Sequence, residues 1–226
     1  MKLKSITLLT IISISYLFFI RTINTFIPLL FTQELIGKTI QSLSFIAHLI
    51  VLVFYLKFLF EYVPNERRFL YWVSILSVVN AVLMSLLYFR GIIIFFPDLD
   101  NLIYTHWPTL FQIIHSPQYL LYSPFIGWIN SLILLIFFMG FYKESPDIHR
   151  ISLQKATRYA LWGSLVLLII NSGFFTLQIF AGGMSWLLPY SAVISLIFLP
   201  IFTLVFITKF NFFLQFYRIQ GDDHSE

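Results

Sequence analysis

Six long apolar stretches, each near the roughly 20 residues that cross a bilayer as a helix, alternate in this chain with short clusters of Pro, Gly, Asn and charge. No other feature constrains the fold as much. Inside a bilayer every backbone N–H and C=O must be paired within the protein, so only helices and closed barrels span it. Runs this long, without strict polar alternation, read as helices. The predicted spans are 5–31, 39–63, 69–89, 124–142, 159–180 and 186–208. Pro64-Asn65-Glu66-Arg67-Arg68 is a sharp turn, because Pro stops a helix and Asn favours a turn. Pro124 suits a first helical turn, where a missing N–H is no loss. Residues 143–158 form the most charged connection, Ala181-Gly182-Gly183-Met184-Ser185 a tight turn, and 220–226 a short acidic tail.

The expected fold class is an all-α polytopic integral membrane protein: one membrane domain over 1–226, with six transmembrane helices. Composition agrees. Charged residues make up 11% of the chain against about 25% in a soluble domain, and the mean hydropathy is +0.87. The start, Met1-Lys2-Leu3-Lys4 followed by an apolar run, has the outline of a signal peptide. Arg21-Thr22-Ile23-Asn24 stands where a small-residue cleavage site would be, so an uncleaved first span is expected. Cysteine is absent, which excludes disulfides, thiolate metal sites and iron–sulfur clusters. The net charge of +4 does not point to nucleic acid, since the few basic residues collect at helix ends.

Orientation follows from the bias of Lys and Arg towards cytoplasmic loops. With the N-terminus inside, the inner segments carry Lys2, Lys4, Arg67, Arg68, Lys143, Arg150, Lys155, Arg158 and Arg218, and the outer loops carry Lys38. Both termini are therefore expected to be cytoplasmic, in an inner or plasma membrane. The partners expected are the lipid bilayer and other membrane subunits, not nucleic acid. The stretch 97–123, between the third and fourth spans, becomes an extracytoplasmic cap, interfacial or re-entrant. Pro108 and Pro117 cut it into pieces too short to span, and Tyr104, Trp107, Phe111, Tyr119 and Tyr122 suit the headgroup region.

The polar residues within so apolar a chain are the candidate sites. His48 lies about ten residues into the second span, roughly 14 Å deep at 1.5 Å per residue. It could bond a backbone carbonyl or Asn80, which lies at similar depth, or serve as an axial ligand to haem b. His106 and His115, nine residues apart in the cap, are the remaining candidate cofactor ligands. That spacing is half a turn out of phase on a helix and lacks the i,i+4 pattern of helical zinc sites. Arg21 and Arg90 fall in the outer half of the membrane, able to snorkel or to pair with Glu34, Asp98 or Asp100. With Asn130, Asn171 and Gln178 these residues make up a polar outer-half cluster: Arg21, Arg90, Asp98, Asp100, Asn130, Asn171 and Gln178. Lys57 and Glu61 form an i,i+4 pair near an inner helix end. Pro200 should kink the sixth span, and Phe210–Ile219 either continues that span or lies along the interface.

No GxSxG, Walker A or GxGxxG signature and no paired intramembrane aspartates occur. The leading expectation is a non-catalytic accessory or scaffolding subunit of a membrane assembly, with no cofactor. The alternative is a transporter or channel for a small or anionic solute, built on the outer-half cluster. A second alternative is a haem- or metal-binding redox protein using His48.

Overall fold

A computed structural model describes residues 2–26, 34–63, 67–95, 97–106, 118–180 and 191–222. All of its regular structure is helical. In chain order the helices are α1 (Leu3–Phe26), α2 (Glu34–Lys57), α3 (Arg68–Phe95), α4 (Pro97–His106), α5 (Gln118–Glu144), α6 (Ile151–Phe180) and α7 (Ser191–Asp222). Six of them, all but α4, are long and apolar enough to cross a membrane. Their outward residues are apolar as well: Trp72, Ile169, Ile197 and Leu204 are each at least 60% exposed. Such a surface needs lipid rather than water around it.

The six long helices form a closed ring. Each packs against its neighbours in the order α1, α2, α3, α5, α6, α7, and α7 returns to α1. Successive helices run antiparallel, so both chain ends lie at one end of the bundle, called here the near end. There Thr7 donates to Leu3 O at 2.9 Å and to Gln220 Oε1 at 3.3 Å, and Lys4 Nζ sits 5.2 Å from the Tyr217 ring centre.

Several boundaries differ from the sequence reading. Of the span placed at 186–208, residues 191–208 belong to a helix that runs on through Asp222, with its apolar window at Leu196–Gln220, so Phe210–Ile219 continues the span and does not lie along the interface. Lys209 looks like a headgroup-level stop, yet Phe212, Phe213, Phe216 and Ile219 follow it on one helical face and are all buried. Their packing carries the helix past the charge. α6 likewise begins at Ile151 instead of 159, and the charged connection shrinks to a turn at 145–150. α5 begins at Gln118, ahead of Pro124. Of the stretch 97–123, Pro97–His106 is the short helix α4, with Asp98 and Asp100 in its first turn, where acids complement the helix dipole. Its Ile103 is buried against Ile93 and Phe89 of α3. Residues 107–117 lie outside the described residues.

Small and hydroxylic residues let the helices approach. Thr10, Ser74, Ser77, Ser85 and Thr157 are buried, and each returns its hydroxyl proton to the carbonyl four residues earlier. These polar groups are thus satisfied within their own helices. Between α6 and α7, a Cβ at Gly163 would overlap Thr208 Oγ1, so any larger residue there obliges the Thr208 side chain to shift.

At the near end the centre of the ring is filled by phenylalanine. Phe54, Phe58, Phe137, Phe141, Phe212 and Phe216 are 0% exposed. They come from α2, α5 and α7, which are not ring neighbours, and they meet across the axis. Phe141 packs edge-on to Phe212 with centroids 4.9 Å apart, and Phe54 edge-on to Phe213 at 5.1 Å, the arrangement favoured by ring quadrupoles. A π-helical turn, Phe58–Tyr62, ends α2 and closes with Val63 N donating to Phe58 O at 3.2 Å. Phe58 and Tyr62 both reach the aromatic cluster, while the Lys57–Glu61 ion pair stays outside.

Candidate functional site

Above the phenylalanine floor the axis of the ring is not filled. A cavity of about 580 Å³ occupies it, and all six long helices contribute to its lining. That volume falls in the range of small-molecule sites, about 300–1,000 Å³. Tyr55 and Phe213 mark its floor, and the lining rises to Ile20, Ile40 and Gln41 towards the far end of the bundle.

The two sides of the cavity differ chemically. α2, α3 and α5 present Gln41, Ser44, His48, Tyr55, Asn80, Tyr88 and Asn130. α1 and α7 present Ile14, Leu17, Phe18, Phe202, Val205 and Phe206, and Phe18 stacks on Phe206 with centroids 4.2 Å apart. Lys209 is the exception on α7. It stands one turn above Phe213 and, with its surroundings engaging it, brings a positive charge to the wall. The lining contains no Asp or Glu among the described residues.

His48 is oriented from two directions. Its ring lies on Tyr88 at 3.9 Å between centroids, and its Nδ1 is 2.8 Å from Ser44 O. A carbonyl only accepts, so Nδ1 carries the proton. In the neutral imidazole Nε2 is then an acceptor, and it takes no hydrogen bond among the described residues. Asn80 is 5% exposed and donates Nδ2–H to Asn130 Oδ1 at 2.7 Å. Its own Oδ1 is buried without a hydrogen-bond partner among the described residues. Burying an amide oxygen this way is unfavourable by roughly 1–3 kcal/mol unless something donates to it. Native interiors leave few such groups.

The residues singled out by sequence divide into three sets. His48 and Asn130 line the cavity, as does Asn80. Asn171 is in the α5–α6 seam, where Nδ2 donates to Ser131 Oγ at 2.6 Å and to Gly127 O at 3.1 Å. Beside it Trp128 Nε1 donates to Ser172 Oγ at 2.9 Å, so this polar group clamps two helices. Asp98, Asp100 and His106 are on α4, where His106 Nδ1 bonds Leu102 O at 3.0 Å. Arg21, Arg90 and Gln178 stand on α1, α3 and α6, with side chains outside the described residues, and His115 also lies outside them. Among the described residues His48 is the one histidine in the cavity lining, and no group of three or more His, Cys, Asp or Glu is placed to hold a metal ion.

Sequence reasoning missed Gln41, Ser44, Tyr55, Tyr88 and above all Lys209 as lining residues. For Lys209 a signal existed. The segment Phe210–Ile219 is as apolar and aromatic as a span, and joining it to the preceding run puts the lysine near the middle of one helix rather than at its end. No protein-family model, no curated protein and no solved structure matches this chain.

Proposed function

We propose that this chain is a membrane transporter-class protein that binds a small solute in the cavity at the centre of its helix ring. The observation that carries this reading is that cavity itself. All six spans contribute to one space at the centre of the ring, and its otherwise apolar lining carries Gln41, Ser44, His48, Asn80 and Asn130 on one side. Polar groups inside a membrane are unfavourable, and their natural place is along a solute path. The accessory-subunit reading draws only on the scarcity of acids in the spans, and gives no role to the cavity. Bis-histidine haem ligation would need a second histidine in the same space, and His48 is the one histidine in the lining among the described residues.

With both termini cytoplasmic, as the Lys/Arg distribution favours, the phenylalanine floor faces the cytoplasm and the cavity lies towards the outer side. α4 then rests at the outer headgroups as part of a cap.

The absence of cysteine makes a direct test possible. Ser44→Cys and Ala81→Cys place thiols in the lining. Val79→Cys places one on the lipid-facing surface, where Val79 is 50% exposed. A charged, membrane-impermeant methanethiosulfonate reagent applied to sealed vesicles should label the first two and spare the third. Equal inertness of all three would overturn the proposed function.

A further inference from the structure

We propose that the outward face of α5 and α6, at the near end of the bundle, holds the phosphate of an anionic phospholipid between Lys143 and Arg158. Both residues are exposed, and each rests on an aromatic ring. Lys143 Nζ stands 5.8 Å from the Phe69 ring centre of α3, and the Arg158 guanidinium carbon 5.7 Å from the Tyr142 ring centre of α5, within reach of cation–π attraction. Arg158 also donates Nη2–H to Tyr142 Oη at 2.9 Å. Tyr142 and Lys143 are consecutive, so that bond draws the guanidinium of α6 to the turn of α5 that carries the ammonium. Neither cation has a carboxylate partner among the described residues. The acids of this corner are engaged elsewhere: Glu144 accepts the Leu70 N–H, and Asp147 takes Tyr62 and Arg150. A guanidinium has five N–H donors, of which Tyr142 takes one, and the others can meet two oxygens of a phosphate. Lys155, three residues before Arg158, adds a third exposed positive charge. The rest of the face favours a lipid over free phosphate. Met139 lies one turn from Lys143 and Trp162 one turn from Arg158, each towards the middle of its helix and so towards the bilayer centre. They are 48% and 58% exposed. Acyl chains run along this apolar surface from a headgroup held at the level of the two cations. Basic sites between helices at the membrane surface take anionic headgroups in this way.

The test uses the full chain in nanodiscs of mixed phosphatidylcholine and phosphatidylglycerol, with retained lipid counted by native mass spectrometry. Phosphatidylglycerol should be retained in preference. Lys143→Gln and Arg158→Gln should each reduce that preference about fivefold, and the two together by more than about tenfold, as expected for cations at a membrane surface. Arg158→Lys keeps the charge but should lose part of the preference, because an ammonium lacks the planar fork. Lys2→Gln with Lys4→Gln removes the same charge from the same end, across the ring at the start of α1. That control should change the preference by less than about twofold, since salt screens charges this far apart. An equal loss in the control reveals a general field and overturns the site. Equal retention of both lipids by the unaltered protein overturns it too, as does displacement of the bound lipid by excess glycerol-3-phosphate, the mark of a soluble-anion site. Phosphatidylglycerol should also raise the melting temperature of the unaltered protein above its value in phosphatidylcholine alone, and should not do so for the Lys143→Gln/Arg158→Gln variant. Each variant is its own reference here, so a general loss of stability does not imitate the result. An equal rise in that variant overturns the proposal.

Discussion

Asn80 of α3 donates Nδ2–H to Asn130 Oδ1 of α5 across 2.7 Å, fifty residues apart in sequence. The bond ties two neighbouring spans at the cavity wall and fixes which way the Asn80 carbonyl oxygen is left. In a bilayer, helices gain little from hydrophobic association because lipid is as apolar as leucine, so such interhelical bonds and close packing carry a large share of the stability.

Asn130→Leu is expected to destabilise the protein by about 1–2 kcal/mol, because it leaves both polar ends of buried Asn80 unpaired. Adding Asn80→Leu removes that penalty, so the double variant should be more stable than the sum of the two singles. A double-mutant cycle by equilibrium unfolding in mixed micelles measures the coupling. Strict additivity would show that the bond does not link the helices.

Gly163→Leu should lower the melting temperature strongly, by an overpacking penalty of about 1–3 kcal/mol, since even a Cβ there meets Thr208 Oγ1. Gly163→Ala should be milder, and Thr208→Ala should relieve it in part by removing the obstructing hydroxyl. Melting curves of the three variants in one detergent decide this.

Phe58→Ala opens the floor of the cavity, where Phe58 is 0% exposed and touches Phe54, Phe137, Phe141 and Phe216. In a water-soluble core the same change typically costs about 3–5 kcal/mol. Here the unfolded reference still lies in lipid, so only the packing part is lost. A value below about 3 kcal/mol is expected, measured by unfolding in mixed micelles. A full soluble-core penalty would contradict the lipid-reference argument.

Glu144 Oε2 accepts the Leu70 backbone N–H at 2.8 Å, so the end of α5 caps the start of α3. Alongside it Tyr62 donates to Asp147 Oδ2 at 2.9 Å and lies 2.6 Å from Ser145 Oγ. Glu144→Ala should weaken this corner by about 1–2 kcal/mol, as loss of a charge-assisted bond does, and Glu144→Gln should retain most of it. Hydrogen exchange in the first turn of α3 reads the effect locally: it should accelerate in the alanine variant and much less in the glutamine variant.

Length and apolarity of the runs were enough to define a membrane-class, all-helical chain with six candidate spans. A helix pairs its own backbone, so whether a segment spans is settled locally by its roughly 20 residues. His48 and Asn80 could be assigned a depth from residue counting. Their partners could not be read, because partners lie on other helices: Tyr88 and Asn130 are 40 and 50 residues away. Asn130 and Asn171 looked equivalent in sequence. The ring closure turns the first to the cavity and the second to the α5–α6 seam, since the direction a helix face points depends on its neighbours. Lys209 shows the limit most clearly. Read alone, Lys209 leaves open whether Phe210–Ile219 continues the span or lies along the interface. Only the packing of Phe212, Phe213 and Phe216 against phenylalanines of α2 and α5 carries the helix onward and leaves that charge beside an interior space. The sequence by itself determined the all-helical class and the number of helices long and apolar enough to span a membrane. The closed ring alone decided that the spans enclose a cavity, because a void is a property of six helices together and of no single segment.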